Sequence, residues 1–261
     1  MSLNNSKDAR PRRRQREKKK ESWGSFISTI IYALLIALVV RTVAYEPFNI
    51  PSESMLPSLL VGDYIFVSKF SYGYSKHSVI FSPDIGEGRI FESAPKRGDV
   101  AVFKLPLDNA TDYVKRIIGL PGDRIQVRRG VLYVNGEAVR RERVDDFRYE
   151  GPGGRVFMVP RYRETLPNGV AYETLDLVEG GDVDDTKVFT VPAAHFFAMG
   201  DNRDNSIDSR VEGGGVGFIP AENLVGRVEF LFFSVDGSAA LWEVWKWPGA
   251  IRYGRLFQGV D

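Results

Sequence analysis

The sequence predicts a mainly β domain that follows one N-terminal transmembrane helix. Residues 22–40 carry no charge, and the rest of the chain has short apolar runs separated by turns rich in its 26 glycines and 14 prolines. Many short strands with frequent turns are typical of β-sheet domains, and no long amphipathic helical pattern follows residue 45. A composition of 43% hydrophobic and 26% charged residues indicates a folded chain that is not wholly embedded in a membrane.

The first 45 residues predict a basic tail and a membrane anchor. Residues 1–20 hold nine basic and two acidic side chains, a net charge of +7. As a helix, the uncharged stretch 22–40 is about 28 Å long at ~1.5 Å per residue, close to a hydrocarbon core of ~30 Å. We therefore predict a basic cytoplasmic tail at residues 1–21 and a transmembrane helix at 22–45. Because basic flanks stay in the cytoplasm, the chain after residue 45 is expected outside it.

A cleaved signal peptide is the alternative for this N-terminus. The basic start fits one, but the span is long, and Arg41 leaves only Thr42, Val43 and Ala44 where a cleavage site between small residues would have to lie. The pattern favours an uncleaved, single-pass anchor. A basic tail can also bind nucleic acid. Its position beside the span favours the phospholipid bilayer instead, and we expect no nucleic-acid partner.

Apolar runs bounded by Gly, Pro and Asp predict the strands of the β domain. The predicted β segments are residues 64–70, 99–104, 113–119, 187–199 and 225–235. Residues 72–98 suggest an extended hairpin or ribbon. Residues 124–134 suggest a hairpin closed by a type I′ turn at Asn135-Gly136.

A change of composition divides the β domain. Residues 136–189 are charged and Gly-rich, so we predict an inserted domain there and the main β domain at 46–135 and 190–261. Near the C-terminus, basic residues accompany the aromatic side chains Trp242, Trp245, Trp247, Tyr253 and Phe257. This composition suits a membrane interface, and an ordinary apolar tail packed on the core is the alternative.

Composition excludes several kinds of chemistry. The chain has no cysteine, which excludes thiol catalysis, cysteine-ligated zinc and disulfides. Its two histidines, His77 and His195, lie in unrelated contexts, so they cannot build a His-rich metal site, and a Ser-His-Asp triad would have to recruit one of them. A surface or hydrogen-bonded core position fits each histidine better. We expect no metal and no cofactor.

Ser54 is a candidate nucleophile. Pro51 and Pro57 bracket residues 52–56, and each proline disfavours helical backbone at the residue before it, which predicts an extended, stiff presentation of the serine. A serine hydroxyl is a weak nucleophile without an adjacent base. With histidine scarce, lysine is the remaining side chain that can serve as that base once it is neutral.

Lys115 is the candidate base. By strand alternation it shares a face with Tyr113 and Ile117, and burial on such a face lowers the pKa of an amine. Lowering that pKa from about 10.4 to near 8 costs roughly 3 kcal/mol, which a fold can tolerate. A surface basic pair of Lys115 and Arg116 remains the alternative from this strand alone.

Three segments, residues 51–59, 112–123 and 200–210, resemble the successive sequence boxes of bacterial type I signal peptidase. They come in that family's order after a membrane anchor, and together they are highly specific. The likeness covers about residues 45–135 and 190–235, and the predicted insertion falls where the family has a variable second domain. The resemblance implies a signal-peptidase-type β-sheet catalytic domain with an inserted variable second domain, preceded by one transmembrane helix.

The resemblance also implies roles for matched residues. Ser54 matches the nucleophile and Lys115 its general base. The backbone N–H of Ser54 and the hydroxyl of Ser52 match the donors of the oxyanion hole. Ser206 matches the hydroxyl that orients the lysine amine, and Asp208 supports the same region.

Some further positions match the family's substrate pockets, and two others depart from the family pattern. Four match the lining of shallow pockets for small side chains at substrate positions −1 and −3: Phe48, Ile50, Met55 and Val114. Glu53 and Ser58 stand where relatives often have Gly and Thr, and both positions tolerate variation.

Composition alone permits other interpretations of residues 200–210. Asp, Asn and Gly favour turns by themselves. A calcium loop would use positions 201, 203 and 205 as ligands, but position 203 is an arginine and the sixth position lacks the required glycine. Ion pairs are a further expectation, in which Arg116, Arg203 and Arg210 brace the site through Asp201, Asp204 or Asp208.

The resemblance implies a membrane-bound serine endopeptidase that removes signal peptides of the Ala-x-Ala type from exported preproteins. It places the protein in the cytoplasmic (inner) membrane, with the catalytic domain on the periplasmic or extracytoplasmic side. One alternative is a self-cleaving Ser/Lys regulatory protease, which would need a DNA-binding or scissile segment. Another is a non-enzymatic, membrane-tethered β domain of envelope assembly.

Overall fold

A computed structural model describes residues 23–78, 88–150, 155–239 and 242–260. Helix α1, Trp23–Val43, has 21 residues and a mean hydropathy of 2.2, so by length and composition it could cross a membrane. None of its side chains is buried in the protein, as expected for a helix whose apolar surface faces lipid. It lies within the predicted span. The predicted basic tail falls outside the described residues.

The described part of the chain beyond α1 is built mainly from β-strands. The strands are β1 (Tyr45–Asn49), β2 (Asp63–Ser68), β3 (Val100–Lys104), β4 (Asp112–Gly119), β5 (Arg124–Arg128), β6 (Val131–Val134), β7 (Glu137–Ala138), β8 (Arg140–Arg143), β9 (Phe147–Glu150), β10 (Val156–Val159), β11 (Arg161–Thr165), β12 (Ala171–Leu175), β13 (Phe189–Thr190), β14 (His195–Met199), β15 (Ile219–Pro220) and β16 (Leu224–Ser234). A four-residue helix α2, Trp247–Ala250, and short 3-10 turns at Lys76–Ser78, Ala221–Asn223 and Tyr253–Arg255 complete the elements. The mainly β prediction is confirmed.

The largest sheet is antiparallel and has seven strands in the order β1-β2-β16-β3-β4-β14-β15. Its long strand β16 pairs with both β2 and β3 through several register shifts, and such bulges increase local twist. Gly226 lies at this crossing, where a Cβ atom would approach the Ser68 carbonyl oxygen to 2.4 Å. Smaller sheets follow the orders β13-β5-β6-β7, β12-β11-β8 and β10-β9. Strand β4, which carries Lys115, is an interior strand.

Several predicted strands are confirmed with small shifts at their ends. The segments 64–70, 99–104, 113–119 and 225–235 correspond to β2, β3, β4 and β16. The segment 187–199 contains two strands, β13 and β14, separated by a turn. Within the predicted ribbon, Tyr74 and Ile90 form an antiparallel bridge, and residues 79–87 lie outside the described residues.

The hairpin prediction for residues 124–134 is wrong in its turn. Strands β5 and β6 are joined at Arg129-Gly130, where both φ angles are positive, 46° and 73°. The predicted Asn135-Gly136 turn exists, with φ angles of 55° and 89°, but it joins β6 to the short strand β7. Both are two-residue loops with the positive φ pair of a type I′ turn. The first was missed because an arginine rarely adopts this backbone.

The apolar core continues into the predicted insertion. One cluster of buried side chains joins Ile118 and Ile125 with Val139, Leu166 and Tyr172. Residues on both sides of the predicted boundary therefore bury apolar surface against one another. The boundaries 136–189 stay a prediction.

The aromatic side chains near the C-terminus are largely exposed. Trp242, Trp245 and Phe257 are 77%, 71% and 75% exposed. The alternative of an apolar tail packed on the core is therefore wrong for these rings, although Ala250 of α2 is buried.

Candidate active site

The segment that carries Ser54 is a succession of turns between β1 and β2. The Leu56 N–H donates to the Glu53 carbonyl at 3.1 Å, and the Leu59 N–H donates to the Met55 carbonyl at 2.9 Å. Met55 and Leu59 are buried in a core cluster with residues of β2, β3 and β16, which draws the backbone into turns. The extended presentation predicted for this segment is therefore wrong. Ser54 itself is half-buried.

Lys115, near the middle of the interior strand β4, contacts Ser54. The Lys115 Nζ lies 2.7 Å from the Ser54 Oγ and donates to the Val114 carbonyl at 3.1 Å. Only 4% of Lys115 is exposed, so the alternative of a surface basic pair is wrong. Burial lowers the pKa of Lys115 to about 8, although the charges of Asp208 and Asp201 act in the opposite direction.

Ser52 lies close to the same hydroxyl. The Ser52 Oγ is 3.4 Å from the Ser54 Oγ, and Ser52 is exposed. The Ser54 carbonyl points in a different direction, because it accepts a hydrogen bond from the Asn202 N–H at 3.1 Å. The oxyanion role of Ser52 and of the Ser54 N–H stays a prediction.

Ser206 and Asp208 lie beside the site without a hydrogen bond to Lys115. The buried Ser206 hydroxyl has no hydrogen-bond partner within the described parts of the chain. It packs against Gly200, where a Cβ atom would lie 2.2 Å from the Ser206 Oγ and 2.6 Å from the Ser54 carbonyl oxygen. Only glycine leaves room for both neighbours. The orienting role of Ser206 stays a prediction.

Asp208 is fully buried and acts on the loop around it. Its carboxylate accepts hydrogen bonds from the Gly200 N–H at 2.9 Å and from the Arg210 guanidinium at 2.8 and 3.0 Å. Burial raises the pKa of Asp208, but Arg210 and the backbone donors outweigh burial and keep the net pKa below its usual value. Asp208 is thus a carboxylate at neutral pH, and its charge favours the protonated form of Lys115.

Two of the three predicted arginine pairs occur with aspartates of this segment. Arg116 donates to both oxygens of Asp201, at 2.9 and 2.8 Å, and Arg210 pairs with Asp208. Arg203 instead pairs with Glu164, at 2.6 and 2.5 Å. The expected partner of Arg203 was wrong because Glu164 lies on β11, a remote segment that no local pattern connects to residue 203.

The same contacts contradict a calcium loop at residues 201–205. The Asp201 carboxylate accepts hydrogen bonds from Arg116 and from Ser58. Arg203 is directed to Glu164, and the Asn205 amide donates to the Glu53 side chain at 3.1 Å. All three side chains are hydrogen-bonded to other side chains of the protein.

The predicted pocket residues lie together against one core cluster. Ile50 and Met55 are buried members of that cluster, and Phe48 and Val114 pack on it while half-buried. Phe48 belongs to β1, an edge strand of the seven-stranded sheet. The structure therefore brings the four residues together, and their role as pocket lining stays a prediction.

Among the residues that the structure describes, one group of carboxylates is close enough to share a cation. Asp176, Asp184 and Asp204 each offer an oxygen within 4.8 Å of the others. Arg141 already pairs with Asp176, and the Asp204 Oδ2 accepts hydrogen bonds from the N–H groups of residues 177 and 178. Sequence spacing gave no sign of this group. The expectation of neither metal nor cofactor stays a prediction.

Comparison with known proteins defines the class of this chain as a peptidase. Residues 23–233 match the family described as signal peptidase, peptidase S26. Proteins named signal peptidase I from Rickettsia conorii and Rickettsia canadensis are 37% and 38% identical, each over 92% of this chain and 93% of their own length. The chain belongs to the signal peptidase I family, and it is a signal peptidase enzyme.

A solved structure of a signal peptidase I from Enterococcus faecalis is also similar. It is 25% identical and covers 52% of this chain and 97% of its own, with a TM-score of 0.31. The family membership itself shows that the alternative of a non-enzymatic envelope domain is wrong.

Proposed function

We propose that this protein cleaves signal peptides from exported preproteins with Ser54 as nucleophile and Lys115 as general base. The contact of 2.7 Å between the Lys115 Nζ and the Ser54 Oγ is the observation that carries the proposal. The lowered pKa of about 8 supports it, since a useful fraction of the amine is then neutral near physiological pH.

The reaction follows from these two groups. Neutral Lys115 takes the proton of the Ser54 hydroxyl while the Oγ attacks the scissile carbonyl carbon. The resulting oxyanion is stabilised by the Ser54 N–H and the Ser52 hydroxyl. The Lys115 ammonium then gives its proton to the leaving amine, and the signal peptide remains as an ester on Ser54. Lys115 next takes a proton from the water that attacks the ester carbonyl, and returns it to the Ser54 Oγ as the C–O bond breaks and the signal peptide leaves as a carboxylate.

Specificity is proposed to come from shallow pockets. Phe48, Ile50, Met55 and Val114 pack around one apolar cluster close to the nucleophile loop. Pockets that fit alanine reject larger side chains by steric clash, whereas a missing methylene gives only about 1–3 kcal/mol of discrimination. We infer a preference for small residues at positions −3 and −1, without strong recognition of a longer sequence.

The location of the enzyme is proposed from its anchor. Helix α1 follows the strongly basic tail, which favours an N-terminus in the cytoplasm and a catalytic domain outside the cytoplasmic membrane. Preproteins are the partners, and the bilayer is the surface on which the enzyme meets them.

Cleavage of a preprotein by purified variants tests the dyad. We expect Ser54→Ala and Lys115→Ala each to abolish cleavage while the variant stays folded, as shown by a cooperative melting transition. Matched controls are Ser238→Ala and Lys187→Ala, since both side chains are exposed and the Lys187 amine pairs with Glu212 at the surface. The new N-terminus is sequenced to locate the cut. Normal cleavage by either dyad variant would contradict the proposed roles of Ser54 and Lys115.

A further inference from the structure

The segment 200–210 contains buried charges that need partners from outside it. Within the segment, Arg210 neutralises Asp208, and from β4 Arg116 neutralises Asp201. Arg203 is also buried, so it needs a further anion. Glu164 on β11 supplies that anion, and it is itself fully buried. Its carboxylate accepts two hydrogen bonds from the Arg203 guanidinium, at 2.6 and 2.5 Å.

Tyr172 joins this pair to the rest of the site. Its hydroxyl donates to the Glu164 carboxylate at 2.9 Å and accepts from Arg203 at 3.1 Å. The Arg116 guanidinium lies over the Tyr172 ring at 4.2 Å from its centre, a cation–π contact. Glu164 and Tyr172, on the three-stranded sheet β12-β11-β8 within the predicted insertion (the inserted sheet), thus form one buried unit with Arg116 and Arg203.

Backbone hydrogen bonds attach the same sheet to the segment. The Leu175 N–H donates to the Asp201 carbonyl at 2.9 Å, and the Arg203 N–H donates to the Leu175 carbonyl at 2.9 Å. Residues 201–203 are therefore held by backbone bonds to the end of β12 and by the side-chain pair of Arg203 with Glu164.

The other side of residues 201–203 holds the nucleophile loop. The Asn202 N–H donates to the Ser54 carbonyl at 3.1 Å, and the Asn202 side chain donates to the Glu53 carbonyl at 3.1 Å. Ser58 of the same loop donates to Asp201 at 2.6 Å. A shift of residues 201–203 would therefore move Ser54 relative to Lys115, which is fixed on its own strand.

We propose that Glu164 is a positioning residue for cleavage: by holding Arg203 it fixes residues 201–203 and, through Asn202, the position of Ser54 against Lys115. This inference rests on the proposed role of Ser54 as nucleophile. It gives the inserted sheet a function in the reaction, although no atom of Glu164 contacts the reacting groups.

Glu164→Gln tests the proposal, because it keeps the shape of the side chain and removes its charge. We expect kcat per folded enzyme to fall roughly 10- to 100-fold, since an error of about 1 Å at a catalytic group can cost 10²-fold. KM should stay within about twofold, because the substrate pockets are not touched. Glu173→Gln is the matched control on the same sheet, where Glu173 is half-buried and pairs with Arg161 at 2.9 Å and with Arg163 at 3.5 Å, both on β11. It should cleave like the wild type.

A double variant separates positioning from stability. Glu164→Gln leaves the Arg203 charge buried without its partner, so a lower melting temperature is expected. Glu164→Gln with Arg203→Met removes both charges, so no buried charge is left without its partner, which is the main cost of breaking a buried ion pair. We expect this variant to melt near the wild type and still to have the low kcat. Recovery of kcat together with the melting temperature would overturn the proposal.

A double-mutant cycle tests the route through Asn202. If Glu164 acts through residues 201–203, the losses in kcat from Glu164→Gln and Asn202→Ala should be clearly less than multiplicative. Multiplicative losses would overturn the route. A kcat of Glu164→Gln within twofold of the wild type, in an enzyme that Ser54→Ala inactivates, would refute this inference alone. Cleavage by Ser54→Ala would instead refute the proposed function on which it rests.

Discussion

Lys115 combines an ionisable amine with almost complete burial, and the two properties have opposite consequences. Burial removes the water that stabilises the ammonium, so the group titrates at about 8 rather than 10.5. A base needs this lowered pKa, because only the neutral amine accepts a proton. Below pH 8 the same lysine is a buried cation, and the folded state is destabilised by it.

The pH dependence of cleavage follows from the neutral form. We expect kcat/KM to rise with pH up to about 8 and then to level off, with roughly a hundredfold lower value at pH 6, because each pH unit below the pKa reduces the neutral fraction about tenfold. A pH profile with a fixed preprotein measures this.

Since the Asp208 charge raises the pKa of Lys115, Asp208→Asn should move the rising limb of this pH profile to lower pH. A shift to higher pH would contradict this electrostatic account.

Lys115→Met should be inactive and more stable than the wild type near neutrality. The pKa of Lys115 is lower in the folded chain than in the unfolded one, so between pH 8 and 10.5 the unfolded chain binds more protons and stability rises with pH. Below pH 8 the full difference, up to about 3 kcal/mol at 1.36 kcal/mol per pKa unit, destabilises the wild type. Unfolding curves of both proteins at pH 6.5 and at pH 10.5 test this. A stability gain that is equal at both pH values would rule out the charge as its cause.

The residues of the proposed dyad were predictable because each had a local signal. Ser54 lies between two prolines, and Lys115 interrupts an apolar strand pattern. Glu164 had no such signal, since it is one acid among many in a charged segment, and only the fold brings it to Arg203. The hydrogen bonds of Asn202 were equally invisible, because its amide contacts a backbone rather than a matching side chain.

At the scale of elements, β4 and segment 200–210 are joined by the fully buried pair of Arg116 and Asp201. Arg116→Ala should lower the free energy of unfolding by about 3–5 kcal/mol, because it leaves the Asp201 carboxylate buried without its cation. Urea unfolding measures the loss. Arg140→Ala is the control: the Arg140 side chain is 75% exposed in its pair with Glu142, and the change should stay within about 0.5 kcal/mol. Equal small effects would show that the buried pair contributes little.

Strands were easier to predict than the turns that join them. Four strands, β2, β3, β4 and β16, could be predicted from apolar runs, because the side chains that they bury in the core are apolar. The Arg129-Gly130 turn was missed, since its backbone is imposed by the pairing of β5 with β6 rather than by a favourable residue at position 129. The turns around Ser54 were missed for a related reason, because the core draws Met55 and Leu59 inward.

At the scale of the molecule, the net charge before helix α1 is opposite in sign to the net charge of the rest of the chain. Residues 1–20 carry +7, and the remaining chain has 26 basic and 32 acidic residues, a net −6, which together give the total of +1. The basic tail and the acidic remainder lie on either side of α1 in the sequence, and α1 is mainly apolar, with Arg41 in its last turn. This asymmetry favours one orientation in a membrane, with the basic end in the cytoplasm. The aromatic residues exposed near the C-terminus add apolar surface to the part proposed to lie outside.

The absence of cysteine makes that orientation directly measurable. A cysteine introduced as Ser6→Cys in the tail or as Arg140→Cys in the exposed part of β8 is the only thiol of its variant. In sealed, right-side-out membrane vesicles, a membrane-impermeant maleimide should label Arg140→Cys at once and Ser6→Cys only after detergent is added. The prediction follows because seven net positive charges resist transfer across the bilayer against the membrane potential. Labelling of Ser6→Cys in intact vesicles, with Arg140→Cys protected, would reverse the proposed topology. Equal labelling of both before detergent would mean that α1 does not span the membrane.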